Sequence, residues 1–309
     1  MKREWIAVAA LLALGACGED FVPFNRLASL RVLAVQSEPV APLTGETTTL
    51  TPFTYAPPGV EIESYRWEWC PFPGSSAEGS PCLVTEEEAR DLAGAAADTI
   101  PPFDLGDDPT ATFENSIDDD LLAALCDGAA QVPALADCQG GFPVQVKLTV
   151  RTADEEVVTV RTLRLRFDPD SEPNANPTIE GLTAEVDGEE VELDEAAEVA
   201  LPRRTETTIH AQVPEDASEP YTRLDDQGEP EARRERLILT WFVESGDTSD
   251  ERTVFIDDSV SLEDATENEW EPAGEDDYPE EESLLIVVVR DGREGVTWGR
   301  AAALLEPDP

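Results

Sequence analysis

Tyr65-Arg66-Trp67-Glu68-Trp69 alternates aromatic with charged side chains at every step. A period of two places Tyr65, Trp67 and Trp69 on one face of a strand and Arg66 and Glu68 on the other. Working outward, Leu30 to Val35 reads as an earlier strand, and Thr47 to Phe53 follows a Gly-Glu turn. Val144 to Val150 repeats the alternation, and a turn at Asp154-Glu155-Glu156 leads into Val157 to Phe167, forming a hairpin. The second half retells this order. Glu206-Thr207-Thr208-Ile209 echoes Glu46 to Leu50, and Leu237, Leu239, Trp241 and Val243 alternate as the Tyr65 strand does. Leu284 to Arg290, a turn at Asp291 to Gly295, and Val296 to Leu305 form a closing hairpin. Order and pattern together predict a divergent internal duplication in a mainly β chain.

Matched landmarks are 50 residues apart in the second copy (Trp241 to Asp291, 291 − 241) and 87 in the first (Trp67 to Asp154, 154 − 67), so the first carries about 37 more. All of Cys70, Cys82, Cys126 and Cys138 fall in that interval. Glu86 to Ala97 and Asp118 to Ala130 have helical spacing, so the interval predicts a short helical insertion clamped by disulfides. Four cysteines allow three pairings; the local pairs Cys70–Cys82 and Cys126–Cys138 close short loops and are the expected ones. A four-cysteine zinc site is the rival, and the spacings lack its close Cys-x-x-Cys pairs.

The N-terminus sets the compartment. Lys2 and Arg3 precede an apolar run from Trp5 to Ala13, too short to span a bilayer but of signal-peptide length. Leu14-Gly15-Ala16-Cys17 resembles the lipobox read by lipoprotein signal peptidase. The resemblance implies cleavage before Cys17, diacylglycerol on its sulfur and a membrane partner reached through acyl chains. Gly18, rather than Asp, follows that cysteine and points to the outer membrane of the cell envelope. An oxidising compartment also suits the four remaining cysteines. The expected organisation is a signal peptide (1–16), lipidated Cys17 and tether (17–28), a first sandwich with its insertion (29–167), an acidic, proline-stiffened linker (168–177) and a second sandwich (178–309).

Short strands, a core tryptophan early in each copy and a closing hairpin resemble tandem immunoglobulin-like or cadherin-like domains. The expected fold is therefore two tandem antiparallel Ig-like β-sandwiches. Trp67 and Trp241 match the strand-C tryptophan, although no cysteine pair brackets either one in the antibody manner. The chain is also similar to predicted lipoproteins of predatory Gram-negative bacteria.

With 68 acidic and 21 basic residues, the formal charge is -47, which excludes nucleic acid as a partner. The single histidine, His210, alternates away from the apolar face of its strand, and no nucleophile elbow, Walker loop or dinucleotide fingerprint is present. The expected function is a non-enzymatic envelope module with a binding or spacer role, its partner an envelope protein or polysaccharide. A carboxylate-dependent hydrolase is one alternative. The other is calcium-dependent adhesion, for which Asp168, Asp170, Glu172 and Asn174 place oxygen ligands at alternate linker positions. Cadherin-like modules bind calcium at such junctions, but the adjacent Asn-Asp pair and the chelating Glu motifs of that family are missing here.

Overall fold

In the computed structural model, which describes residues 22–75, 79–129, 138, 140–224, 227 and 229–308, the first copy folds as two facing sheets. Its strands are β1 (Arg31–Glu38), β2 (Thr47–Tyr55), β3 (Ser64–Cys70), β4 (Asp104–Gly106), β5 (Ala111–Glu114), β6 (Phe142–Arg151) and β7 (Glu156–Leu165). One sheet has the order β1-β2-β5 and the other β4-β3-β6-β7. Trp67 and Trp69 on β3 point between them and are 0% and 1% exposed. They pack with Leu50, Phe113, Val146, Leu148 and Leu163. Trp69 meets Phe113 edge-on at 5.2 Å, and its indole N–H donates to the Pro102 carbonyl at 2.7 Å, so the polar end of the buried ring is satisfied.

The second copy repeats the plan. Its strands are β8 (Gly181–Val186), β9 (Glu189–Leu193), β10 (Ala200–Leu201), β11 (Thr207–Gln212), β12 (Pro220–Leu224), β13 (Pro230–Arg234), β14 (Leu237–Val243), β15 (Asp247–Thr248), β16 (Arg252–Phe255), β17 (Glu267–Glu271), β18 (Glu282–Arg290) and β19 (Val296–Leu305). One sheet runs β15-β17-β11-β8-β9 and the other β10-β19-β18-β14-β16. Reading β8, β11 and β17 against β1, β2 and β5, and β16, β14, β18 and β19 against β4, β3, β6 and β7, both copies share one neighbour order. That shared order, of an Ig-like kind, makes the chain two tandem antiparallel Ig-like β-sandwiches. Trp241 on β14 takes the place of Trp67 and is likewise 0% exposed.

The helical insertion of the first copy is divided. Helix α1 (Glu86–Ala93), begun by a Thr85–Glu88 capping box, and the 3-10 turn Gly94–Thr99 lie between β3 and β4. Helix α2 (Asp119–Ala129) lies between β5 and β6. The single excursion expected from spacing is thus two, separated by strands of three and four residues that are too short to show a period. Each excursion has its own disulfide, Cys70–Cys82 and Cys126–Cys138. Cys70 ends β3, so its bridge ties the insertion to a core strand. Replacing Cys70 and Cys82 by serine is expected to lower stability by about 3 kcal/mol, the loop-closure entropy of a dozen-residue ring; denaturant unfolding of the oxidised protein and the variant measures it.

β18 decides how the copies sit. Every residue from Ser283 to Val289 is buried. Leu285, Val287 and Val289 face the core of their own sandwich. Leu284, Ile286 and Val288, on the opposite face, pack with Leu33 and Ala34 of β1 and with Tyr55 of β2. Phe53 of β2 stacks on Trp298 of β19 with ring centroids 4.7 Å apart. The sandwiches therefore lie side by side through a continuous apolar seam, and the linker does not hold them apart.

The segment ahead of β1 joins the same seam. The Leu27 amide donates to the Val243 carbonyl at 2.8 Å and the Val243 amide to the Asn25 carbonyl at 3.1 Å, placing this segment beside the end of β14. Phe24 packs edge-on against Phe242 at 5.7 Å, and Arg26 pairs with Asp247 at 3.0 Å. Phe24 to Leu27, within the span expected as a tether, pack against the second sandwich. Cys17 lies outside the described residues.

Candidate functional site at the domain junction

The β18–β19 turn, Asp291 to Gly295, organises the junction. Asp291 is buried, and its Oδ1 accepts from the amides of Arg293 at 2.6 Å and Gly295 at 2.8 Å. Its Oδ2 accepts from Asn174 Nδ2 at 2.8 Å. A short-range carboxylate cap thereby holds the turn and grips the linker with its second oxygen. Asn176, two residues on, donates to the Ser37 carbonyl at 2.9 Å and accepts from the Val296 amide at 3.0 Å, bridging both sandwiches. Arg161 of β7 donates to Ser37 Oγ at 2.8 Å and to the Glu294 carbonyl. Burial pushes the Arg161 guanidinium down to about 10, opposed by the nearby Glu294 and Asp291 carboxylates.

Arg293 reaches back across the turn. It pairs with Glu235 at 2.9 Å and lies over the Tyr221 ring at 4.6 Å. Glu235 is 2% exposed, and its other oxygen accepts from the Glu219 amide at 3.1 Å. Burial, reinforced by Asp291, pushes its carboxyl up to about 7, against the pull of the Glu219 amide and Arg293. A carboxyl with a raised folded-state value favours the fold when protonated. Its contribution is fully present below the ordinary glutamate value and is lost as pH rises through about 7. Glu235→Gln is expected to flatten the wild-type decline in stability between pH 5 and 8, making the variant the more stable by about 1–2 kcal/mol at pH 8. Thermal melts of both proteins across that range measure the difference.

Between linker, turn and the β12–β13 hairpin lies a cleft of about 640 Å³. Asp168, Asp170, Glu172 and Asn174, the sequence's calcium candidates, all line it. They do not converge on one point. Asp168 Oδ1 accepts from the Asp170 amide at 2.9 Å, Glu172 Oε2 from the Thr222 amide at 3.2 Å, and Asn174 is committed to Asp291. Among the described residues no three His, Cys, Asp or Glu side chains gather as a group able to hold a metal. Arg164, Arg166, Arg223 and Arg293 line the same cleft, and four guanidinium groups oppose a divalent cation there. The residues that sequence reasoning missed are these arginines. Arg164 and Arg166 directly precede the linker, while Arg223 and Arg293 come from distant parts of the chain, and only the fold collects all four.

His210 on β11 sits opposite Thr183 and Glu267, half-exposed on the outer face, while Ile209 and Ala211 beside it are buried. Glu235 and Asp291 are neighbouring carboxylates, both buried and bonded to backbone amides.

The strand order places the chain in the class of tandem Ig-like β-sandwich proteins. Known structures with detectable likeness include a chimeric titin Z1Z2 tandem, at 7% identity and a TM-score of 0.27, covering 90% of this chain and 99% of that one. Murine CEACAM1b is similar at 7% identity and a TM-score of 0.22, covering 89% and 98%. The N-terminal domains of the bacteriophage RB49 outer capsid protein Hoc match at 8% identity and a TM-score of 0.19, covering 91% and 100%. Likeness at this distance carries no functional argument, and the fold assignment stands on strand order. No family model matches the chain, and no curated protein matches it.

Proposed function

We propose that this chain is a lipid-anchored, non-enzymatic protein of the cell envelope that presents two Ig-like sandwiches as one rigid binding or structural body. The observation that carries the reading is the docking of the Asn25–Leu27 backbone onto β14, directly downstream of the lipobox-like segment. From Cys17 to Val22 is five residues, which extend at most about 18 Å. An anchor on Cys17 would therefore hold the Val243–Asp247 end of the second sandwich close to the bilayer, with the first sandwich beside it. This geometry favours a squat body over a long spacer. Among the described residues no helix is long and apolar enough to cross a membrane, so acyl chains would supply the attachment. Two or more chains make it practically permanent, at about 0.8 kcal/mol per buried methylene. Gly18 after the anchor supports an outer-membrane address.

Metabolic labelling with palmitate tests the anchor. Label is expected on the wild-type chain and none on Cys17→Ala, which should move to the soluble envelope fraction. An unlabelled wild-type protein, or a Cys17→Ala form that still sediments with membranes, refutes it.

A further inference from the structure

We propose that the junction cleft binds a small oxyanion ligand, one bearing carboxylate or phosphate groups. The inference deepens the binding reading above by naming a ligand chemistry, and it does not depend on the anchor. The chain has 21 basic residues against 68 acidic, yet this one cleft collects four arginines beside three acids. Arg166, Arg223 and Arg293 make no ion pair with those acids. Arg166 spends Nε and Nη2 on Ser171, at 3.0 and 2.7 Å. Arg293 pairs outside the cleft's acidic set, with Glu235. Arg223 is exposed, and its side chain makes no hydrogen bond or ion pair among the described residues. A planar guanidinium left unpaired in this way suits the paired oxygens of a carboxylate or phosphate.

Two further features point to a ligand. The Oδ1 of Asn174 is buried without a donor, and a hydroxyl or protonated acid group on the ligand would supply one. Arg293 is preorganised by its stacking on Tyr221, so binding would order little that is not already ordered. The volume of about 640 Å³ suits a ligand of disaccharide or diphosphate size. The cleft lies away from the Asn25–Leu27 segment. Glu235, under Arg293, precedes the start of β14, whereas the Asn25–Leu27 segment meets its far end. A seven-residue strand separates the two by about 20 Å.

Calorimetric titration of the detergent-solubilised full chain at low salt tests the proposal, with pyrophosphate and digalacturonate as probes in separate arms. At least one is expected to bind, and the arm that does tells phosphate from carboxylate. Arg223→Gln should weaken that binding about tenfold or more while melting as wild type does, since its side chain is exposed. Arg66→Gln, on the outer face of the first sandwich, should bind as wild type. Failure of both probes, equal binding by Arg223→Gln, or equal loss in Arg66→Gln would overturn the proposal. So would calcium binding that is abolished by Asp170→Asn, which would make the cleft a cation site. None of these outcomes bears on palmitate labelling, so the anchor and the cleft stand or fall separately.

Discussion

Replacing Trp241 by alanine is expected to destabilise the protein by about 3–5 kcal/mol, the usual cost of emptying a large aromatic site in a core. Trp241 is 0% exposed and lies between the sheets of the second sandwich among Leu239, Ile209 and Val287. Its indole N–H donates to Thr253 Oγ1 at 3.0 Å, so truncation also leaves a half-buried hydroxyl short of a partner. That hydroxyl keeps its own bond to the Ala265 carbonyl, which limits the additional loss. Because β14 also receives the N-terminal segment at Val243, the variant should release that segment as well. Denaturant unfolding should show the midpoint shift, and proteolysis near Val22 under native conditions should rise with it. A variant as stable as wild type would mean that the second sandwich is not organised around this ring.

The second large effect separates the two faces of β18. Leu285 and Ile286 are adjacent and each 1% exposed, yet they face different partners. Leu285→Asp puts a carboxylate inside the second sandwich, where the alternative to burying it is unfolding that domain. Ile286→Asp puts one in the seam, where a cheaper escape exists: the sandwiches can undock and let water reach the charge. Burial of an unpaired carboxylate costs several kcal/mol, so undocking should win wherever the seam holds by less. Ile286→Asp is therefore expected to give two folded, separated domains, with a larger radius of gyration and two calorimetric transitions. Leu285→Asp should instead remove the transition of the second sandwich. Identical behaviour of the two variants would contradict the assignment of the faces.

Much of this was legible in the sequence. Alternation at Tyr65–Trp69 and Leu237–Val243 located the central strands and their tryptophans, because a half-buried strand must segregate its faces. Helical spacing found α1 and α2, and loop length favoured the two disulfides that formed. Other elements left no period to read. β4 and β5 have three and four residues, and β13 is exposed at every position. The seam did leave a trace. Leu284-Leu285-Ile286-Val287-Val288-Val289 is an unbroken apolar run, the pattern of a strand covered on both sides. Taking it only as one arm of a hairpin concealed the second covered face. Docking of the N-terminal segment left no period to read, since it combines backbone pairing at Asn25 and Leu27 with single side-chain contacts from Phe24 and Arg26. The cleft was half legible. Linker oxygens at alternate positions suggested a cation, while the arginines that change its charge come from β7, the β12–β13 hairpin and the Asp291 turn.

Side-by-side packing of the two sandwiches is tested most directly by joining them at the seam. Phe53→Cys with Trp298→Cys replaces two rings stacked at 4.7 Å, one from each sandwich. A short bismaleimide added to the folded full-length double variant should couple the two cysteines within a single molecule, seen by mass spectrometry as one linked peptide pair. Recovery of separate single adducts on both cysteines, with no linked pair, would show that the sandwiches do not share that face.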